Sequence, residues 1–152
     1  MRPWFWTLIA LLALGGHAAA RDVAVVVNKS NATKSVVLAD LVKLVKGTTK
    51  KWADNRDVTI VIKDPGAADM KTVAQKLFGM TAEEIKALAT TLNAARKDTV
   101  IIVPNDEVLV KTVQTTPGAM GFVDVYSINS GVNVLKIDGK SPLEPGYALH
   151  GQ

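Results

Sequence analysis

"VAVVV", Val23 to Val27, is an unbroken apolar run in which four of five residues are β-branched. A strand with one face in water alternates polar and apolar residues, so a continuous run of this kind predicts a strand covered on both faces. Two more such runs follow, "VTIVI" at Val58–Ile62 and "TVIIV" at Thr99–Val103. Helical patterns lie between them. Leu38, Leu41, Val42 and Val45 fall at helical spacing, with Gly47 as a left-handed stop, so the first helix is expected from about Leu38 to Lys46. Met70, Val73, Ala74 and Leu77 mark the inner stripe of a second helix that ends at Gly79. Thr81 to Glu84 is a capping box that opens a third, with Ile85, Leu88, Ala89 and Leu92 on one face. Asn105 or Asp106 caps a short fourth helix. Two closing strands, about Met120–Val125 and Val132–Ile137, are joined through Asn129–Gly131.

Strands alternating with helices predict an α/β layered domain. Its sheet is expected to be mainly parallel and flanked by helices, with the three β-branched runs as neighbouring buried strands. The closing pair is expected to form an antiparallel return near the C-terminus.

Residues 1–20 are expected to lie outside this domain. Arg2 is a minimal positive region, Pro3–Gly16 an uncharged apolar core, and Ala18-Ala19-Ala20 the small residues that precede cleavage. The segment is short for a membrane span, so it predicts a cleaved signal peptide and a periplasmic or secreted protein. Residues 21–152 are then expected to form one domain. Eighteen basic residues less Arg2, against fourteen acidic ones, leave this part with a charge of +3, too small and scattered to argue for nucleic acid. There is no Cys, so stability must come from packing without disulfides.

The sequence offers little for catalysis. Beyond residue 20 the chain has one His, His150, and no Cys, so no nucleophile–base pair can be assembled. "ADNRD" lacks the alternation and terminal Glu of a calcium loop, and Glu83-Glu84 is explained by helix capping. Neither a metal nor a cofactor is implied, and the chain does not read as an enzyme. What remains is a backbone-built binding site, because in open α/β sheets ligands sit beyond the carboxyl ends of strands, near helix N-termini. Asn28, Ser30, Asn31, Lys63, Gly66 and Asn105 are the candidates, each placed by its loop at an expected strand end.

Late in the chain stands "TTPGAMGFVDV", Thr115–Val125, a tight joint in which Pro117, Gly118 and Gly121 specify backbone shape. With "DLVKLVKGTTKKW", "VTIVIKDPG" and "AQKLFGMTAEEI" before it, this string resembles the substrate-binding proteins of phosphate ABC transporters, and more closely their short stand-alone relatives. The resemblance covers nearly all of Asp22 to Gly139. It implies a type 2 periplasmic-binding fold, a small-molecule or anion ligand, and an ABC transporter permease or other periplasmic or membrane protein as partner. It also implies that the Pro117–Gly121 joint is hinge and scaffold, and that Trp52 occupies a position where the family keeps a Trp. Trp52 is expected to anchor its loop to the core, as large aromatics near loops commonly do.

At the family's phosphate motif this chain departs from the pattern. Lys63 stands in place of an Arg and loses the bidentate fork, while Ala67 and Asp69 stand in place of hydroxyls. The resemblance therefore implies the fold and a binding role, but the phosphate chemistry does not carry over. The rival expectation is a protein-interaction module, a binding fold that has lost its ligand pocket.

Overall fold

Each apolar run becomes a strand because there is a layer on either side to receive it. The computed structural model describes residues 21–151; the expected signal segment, residues 1–20, lies outside the described residues. A five-stranded sheet is built from β1 (Val23–Asn28), β3 (Thr59–Lys63), β4 (Val100–Val103), β5 (Ala119–Asp124) and β6 (Val132–Val134), in the order β4-β3-β5-β1-β6. A minor two-stranded sheet pairs β2 (Ser35–Val36) in parallel with β7 (Lys136–Ile137).

Along β1, Val25 and Val27 face one apolar cluster and Ala24 and Val26 the other. The first cluster also takes Ile60, Ile62, Met120 and Phe122 from the sheet. Over it lie α1 (Leu38–Val45), a helical segment spanning residues 68–78, and α3 (Ala82–Ala95). The second is covered by α4 (Asp106–Thr115) through Leu109, Val110 and Val113. Alternation along each strand thus fills two cores, which is why the sequence runs show no charged residue.

β3, β4 and β5 run parallel, and β1 is antiparallel to both β5 and β6. Four of the five strands therefore point one way and β1 alone opposes them, a mostly parallel α/β sheet. Two adjacencies differ from expectation. Val23–Val27 does not neighbour Val58–Ile62, because β5 lies between them. The closing strands do not pair with each other; each is antiparallel to β1, which sits between them. The third run is also less buried than its composition predicts, since β4 is an edge strand and Ile102 is exposed.

Local chemistry sets the helix ends. Gly47, at φ +74°, closes α1. The 68–78 segment combines a 3₁₀ turn (Ala68–Met70), an α turn (α2, Lys71–Val73) and a π turn (Ala74–Phe78), and stops at Gly79 with φ +61°. Thr81 caps α3 by accepting from the Glu84 N–H at 3.2 Å. Glu84 reaches back to the Thr81 hydroxyl at 3.1 Å, where a capping box would reach the backbone.

The segment around Tyr147 and Leu149 closes onto the start of β1. The Val23 N–H donates to the Leu149 carbonyl at 3.0 Å, and the buried Tyr147 hydroxyl donates to the Val23 carbonyl at 2.7 Å. Trp52 is 6% exposed, and its Nε1 donates to the Gly118 carbonyl at 2.8 Å. The same carbonyl accepts from the Thr59 N–H at 3.1 Å, so Trp52 pins the 48–58 connection to the start of β3 and β5. Gly118 sits at φ +81°, and a Cβ there would collide with the Asp57 carbonyl oxygen. Gly121 has no such backbone demand; a Cβ would lie 2.5 Å from Leu109 Cδ2, so its absence lets α4 settle onto the sheet.

Trp52→Ala is predicted to destabilise the protein by ~3–5 kcal/mol, and Trp52→Phe, which keeps most of the ring volume, by only ~1–2 kcal/mol. Urea unfolding of both variants checks this; a neutral Trp52→Ala would remove Trp52 from the core account.

Candidate functional site

The direction of β1 decides which candidate residues can meet. Its carboxyl end, Asn28, is paired with Val132 of β6 and lies beside the amino ends of β3 and β5. Lys63 and Val103 end β3 and β4 at the opposite end of the sheet. The expected cleft shared by all six residues is therefore not formed. Asn28, Ser30 and Asn31 stand at one end, and Lys63, Gly66 and Asn105 at the other. No residue in Val23–Val27 announces the direction of its strand, so the sequence could not reveal this.

At the first end the polar groups serve mostly the fold. Asn28 is buried, and its Nδ2 donates to the Val113 and Gln114 carbonyls at 2.9 and 3.0 Å, which ties β1 to the last turn of α4. Its Oδ1 accepts from the Ser30 N–H at 3.0 Å and the Ser30 hydroxyl at 2.7 Å. Arg56 also reaches the Ser30 hydroxyl. The Asn31 side chain accepts from the Thr33 N–H at 2.9 Å, while its buried Nδ2 has no partner among the described residues.

At the other end the candidates are engaged as well. The Gly66 N–H donates to Asp64 Oδ1 at 2.8 Å, which removes it as a ligand donor. The Asn105 side chain accepts from the Val108 N–H at 2.9 Å and caps α4. Lys63, with 7% of its side chain exposed, is gripped from two sides by carboxylates that begin the two neighbouring helical segments. Its ammonium donates to Asp69, and Asp106 Oδ1 lies 2.6 Å away in a close ion pair. Asp106 Oδ2 accepts from the Ser127 hydroxyl at 2.8 Å and, more weakly, from the Asp124 N–H at 3.3 Å. Burial works against the Lys63 charge, yet the bonds and attraction from Asp106 and Asp69 together outweigh it and hold its pKa above the usual lysine value.

A cleft of about 170 Å³ opens here, with Arg21, Lys63, Asp69, Thr72 and Asp124 among its lining residues. Arg21 pairs with Asp124 at 3.5 Å and stacks over the Tyr126 ring, 4.9 Å from its centroid. Arg21 and Lys63 thus face three carboxylates, Asp69, Asp106 and Asp124, which leaves a net charge of −1. Sequence reading found Lys63 and Asp69 but missed Asp106, Asp124 and Arg21. Asp106 was legible as a helix start, but no local signal shows that it turns toward Lys63.

Solved structures with the same architecture share this sheet and helix arrangement. An ABC-type phosphate transport receptor from Vibrio cholerae aligns with TM-score 0.65 at 14% identity, over 82% of this chain and 50% of its own. The chain has the fold of phosphate-transport binding proteins. A putative phosphate ABC transporter substrate-binding protein with bound phosphate from Clostridium perfringens aligns with TM-score 0.66 at 18% identity, over 82% and 49%. PstS from Borrelia burgdorferi gives TM-score 0.67 at 13% identity, over 87% and 55%. This chain spans about half the length of these structures. No family model and no curated protein matches the sequence.

Alkaline titration tests the cluster. A folded-state lysine pKa above the unfolded value gives stability that is complete below about pH 10.4 and is lost as pH rises through the folded pKa. Tyr147 acts in the same direction: burial first, then the nearby Asp22 carboxylate, pushes its phenol pKa up, so the unfolded chain gains by ionising above about pH 10. Denaturant midpoints are expected to fall from pH 9 to alkaline extremes, with a shallower fall in Lys63→Met and in Tyr147→Phe. At neutral pH, Lys63→Met is expected to cost about 2–3 kcal/mol, since Asp106 keeps its Ser127 and Asp124 bonds but loses its counter-charge.

Proposed function

We propose that this chain is an exported, non-enzymatic solute-binding-fold protein whose anion seat is closed by its own carboxylates, so that its ligand is small and is not inorganic phosphate. The observation that carries this is the Lys63 cluster. Anions are drawn to cations and to helix starts, and here Asp69 and Asp106 supply both with internal negative charge. An incoming phosphate must displace a carboxylate already held close to Lys63 and enter a cluster of net negative charge. The binding role rests on the fold, shared with proteins named as phosphate receptors and substrate-binding proteins. Export and an ABC permease partner follow from the same likeness and from residues 1–20, read as a signal segment.

A protein-interaction role is the second reading, and one observation favours it. β4 is an edge strand with Ile102 exposed, an edge suited to pairing with another chain. Charge-assisted bonds contribute about 1.5–3 kcal/mol each, so the fork and hydroxyls replaced at Lys63, Ala67 and Asp69 account for ~4–9 kcal/mol of lost affinity.

Titration calorimetry on the purified protein is therefore expected to show phosphate binding no tighter than roughly millimolar near neutral pH. Asp69→Thr combined with Ala67→Ser removes one of the two carboxylates on Lys63 and adds two hydroxyls, and is expected to tighten phosphate binding. Micromolar binding by the unmodified protein would overturn the closed-seat reading. A thermal-shift panel of oxyanions and small acids separates the two roles, because a ligand at a hundred times its dissociation constant adds ~2.7 kcal/mol.

A further inference from the structure

A second cavity, of about 220 Å³, lies far from Lys63, where the end of α1, the 48–58 connection and the end of α3 meet over the first half of β3. Leu44, Val58, Ile60, Leu92 and Ala95 give it apolar walls. Its existence follows from packing at Gly47, where a Cβ would lie 2.5 Å from Leu92 Cδ2; the two helix ends touch there and leave a hollow beneath.

The charges around this hollow are unbalanced. Lys50, Lys51 and Arg96 line it against one carboxylate, Asp57. That carboxylate is taken by Lys51, with Nζ 2.9 Å from Oδ1. Its carboxyl is held below the usual range mainly by this bond and by Lys51's charge, and to a lesser extent by Arg96. Arg96 donates one guanidinium nitrogen to the Val58 carbonyl, which fixes the group beside the apolar wall. Among the described residues neither Arg96 nor Lys50 has an acidic partner.

We propose that this cavity is a binding site for small organic carboxylates with a compact apolar body, such as a single aromatic ring or a short branched chain. The walls remove the hydrocarbon from water, and Arg96 with Lys50 meets the carboxylate at the mouth. Size agrees: a cavity of ~150 Å³ with apolar walls accepts benzene, and the additional volume here accommodates a carboxyl group. Phosphate is a poor fit, because apolar walls leave most of its oxygens without donors. The site is independent of the closed seat at Lys63, so either can fail without the other.

The test is thermal shift and titration calorimetry of the purified protein with benzoate, using benzylamine and inorganic phosphate as comparison probes. Benzoate is expected to raise the melting temperature, while benzylamine and phosphate leave it unchanged. Ala95→Phe, at an exposed position on the cavity wall, is expected to abolish the benzoate shift and leave the unliganded melting temperature close to wild type. Lys50→Glu is expected to weaken benzoate roughly tenfold, the effect of turning an attractive charge at the mouth into a repulsive one. The proposal is overturned if benzoate produces no shift, if benzylamine produces an equal one, or if the benzoate shift survives Ala95→Phe.

Discussion

The reversed strand inside the sheet, between β5 and β6, is the constraint on which the other features depend. β1 is hydrogen-bonded on both sides and buried on both faces, so neither its register nor its direction can change without emptying two cores. By running against its neighbours it carries Asn28 to the amino end of β3 and β5. There the Asn28 amide holds the last turn of α4, and α4 in turn begins beside Lys63. The two ends of the sheet are thereby given different work: one fastens helices, and the other gathers charge.

That charge cluster follows from the cost of burying an ammonium. A lysine taken out of water must find partners, and an isolated one would lose its proton instead. A binding protein can leave the partner's place for its ligand and so convert the need into affinity. Here Asp69 and Asp106 stand beside the ammonium instead. Such an arrangement contributes little net stability, because desolvation offsets most of the attraction, but it strongly resists losing one member.

Much of the architecture was legible because its signals are local. The β-branched runs marked β1, β3 and β4, Gly47 and Gly79 marked helix stops at positive φ, and Thr81 marked the start of α3. The Trp52 ring and Gly118 could be read as anchor and joint, though not as bonded to each other across sixty-six positions. What was not legible is non-local. Strand direction and order are settled by which strands bury which faces, and no single run contains that information. The grouping of candidate residues failed for this reason, since a strand end is a place in the sheet and not a position in the chain. Ile102 shows the same limit: it reads as core from its neighbours and is exposed because the sheet stops at β4.

The tie between Val23 and the segment around Tyr147 and Leu149 has a consequence for timing. A chain made N-terminus first presents β1 early, yet that strand's first carbonyl and N–H find their partners only after more than a hundred further residues have arrived. Contacts of such long sequence separation form late and slowly. Until then the first strand lacks two of the hydrogen bonds at its start, so that corner of the sheet is completed only when the segment around Tyr147 and Leu149 has docked.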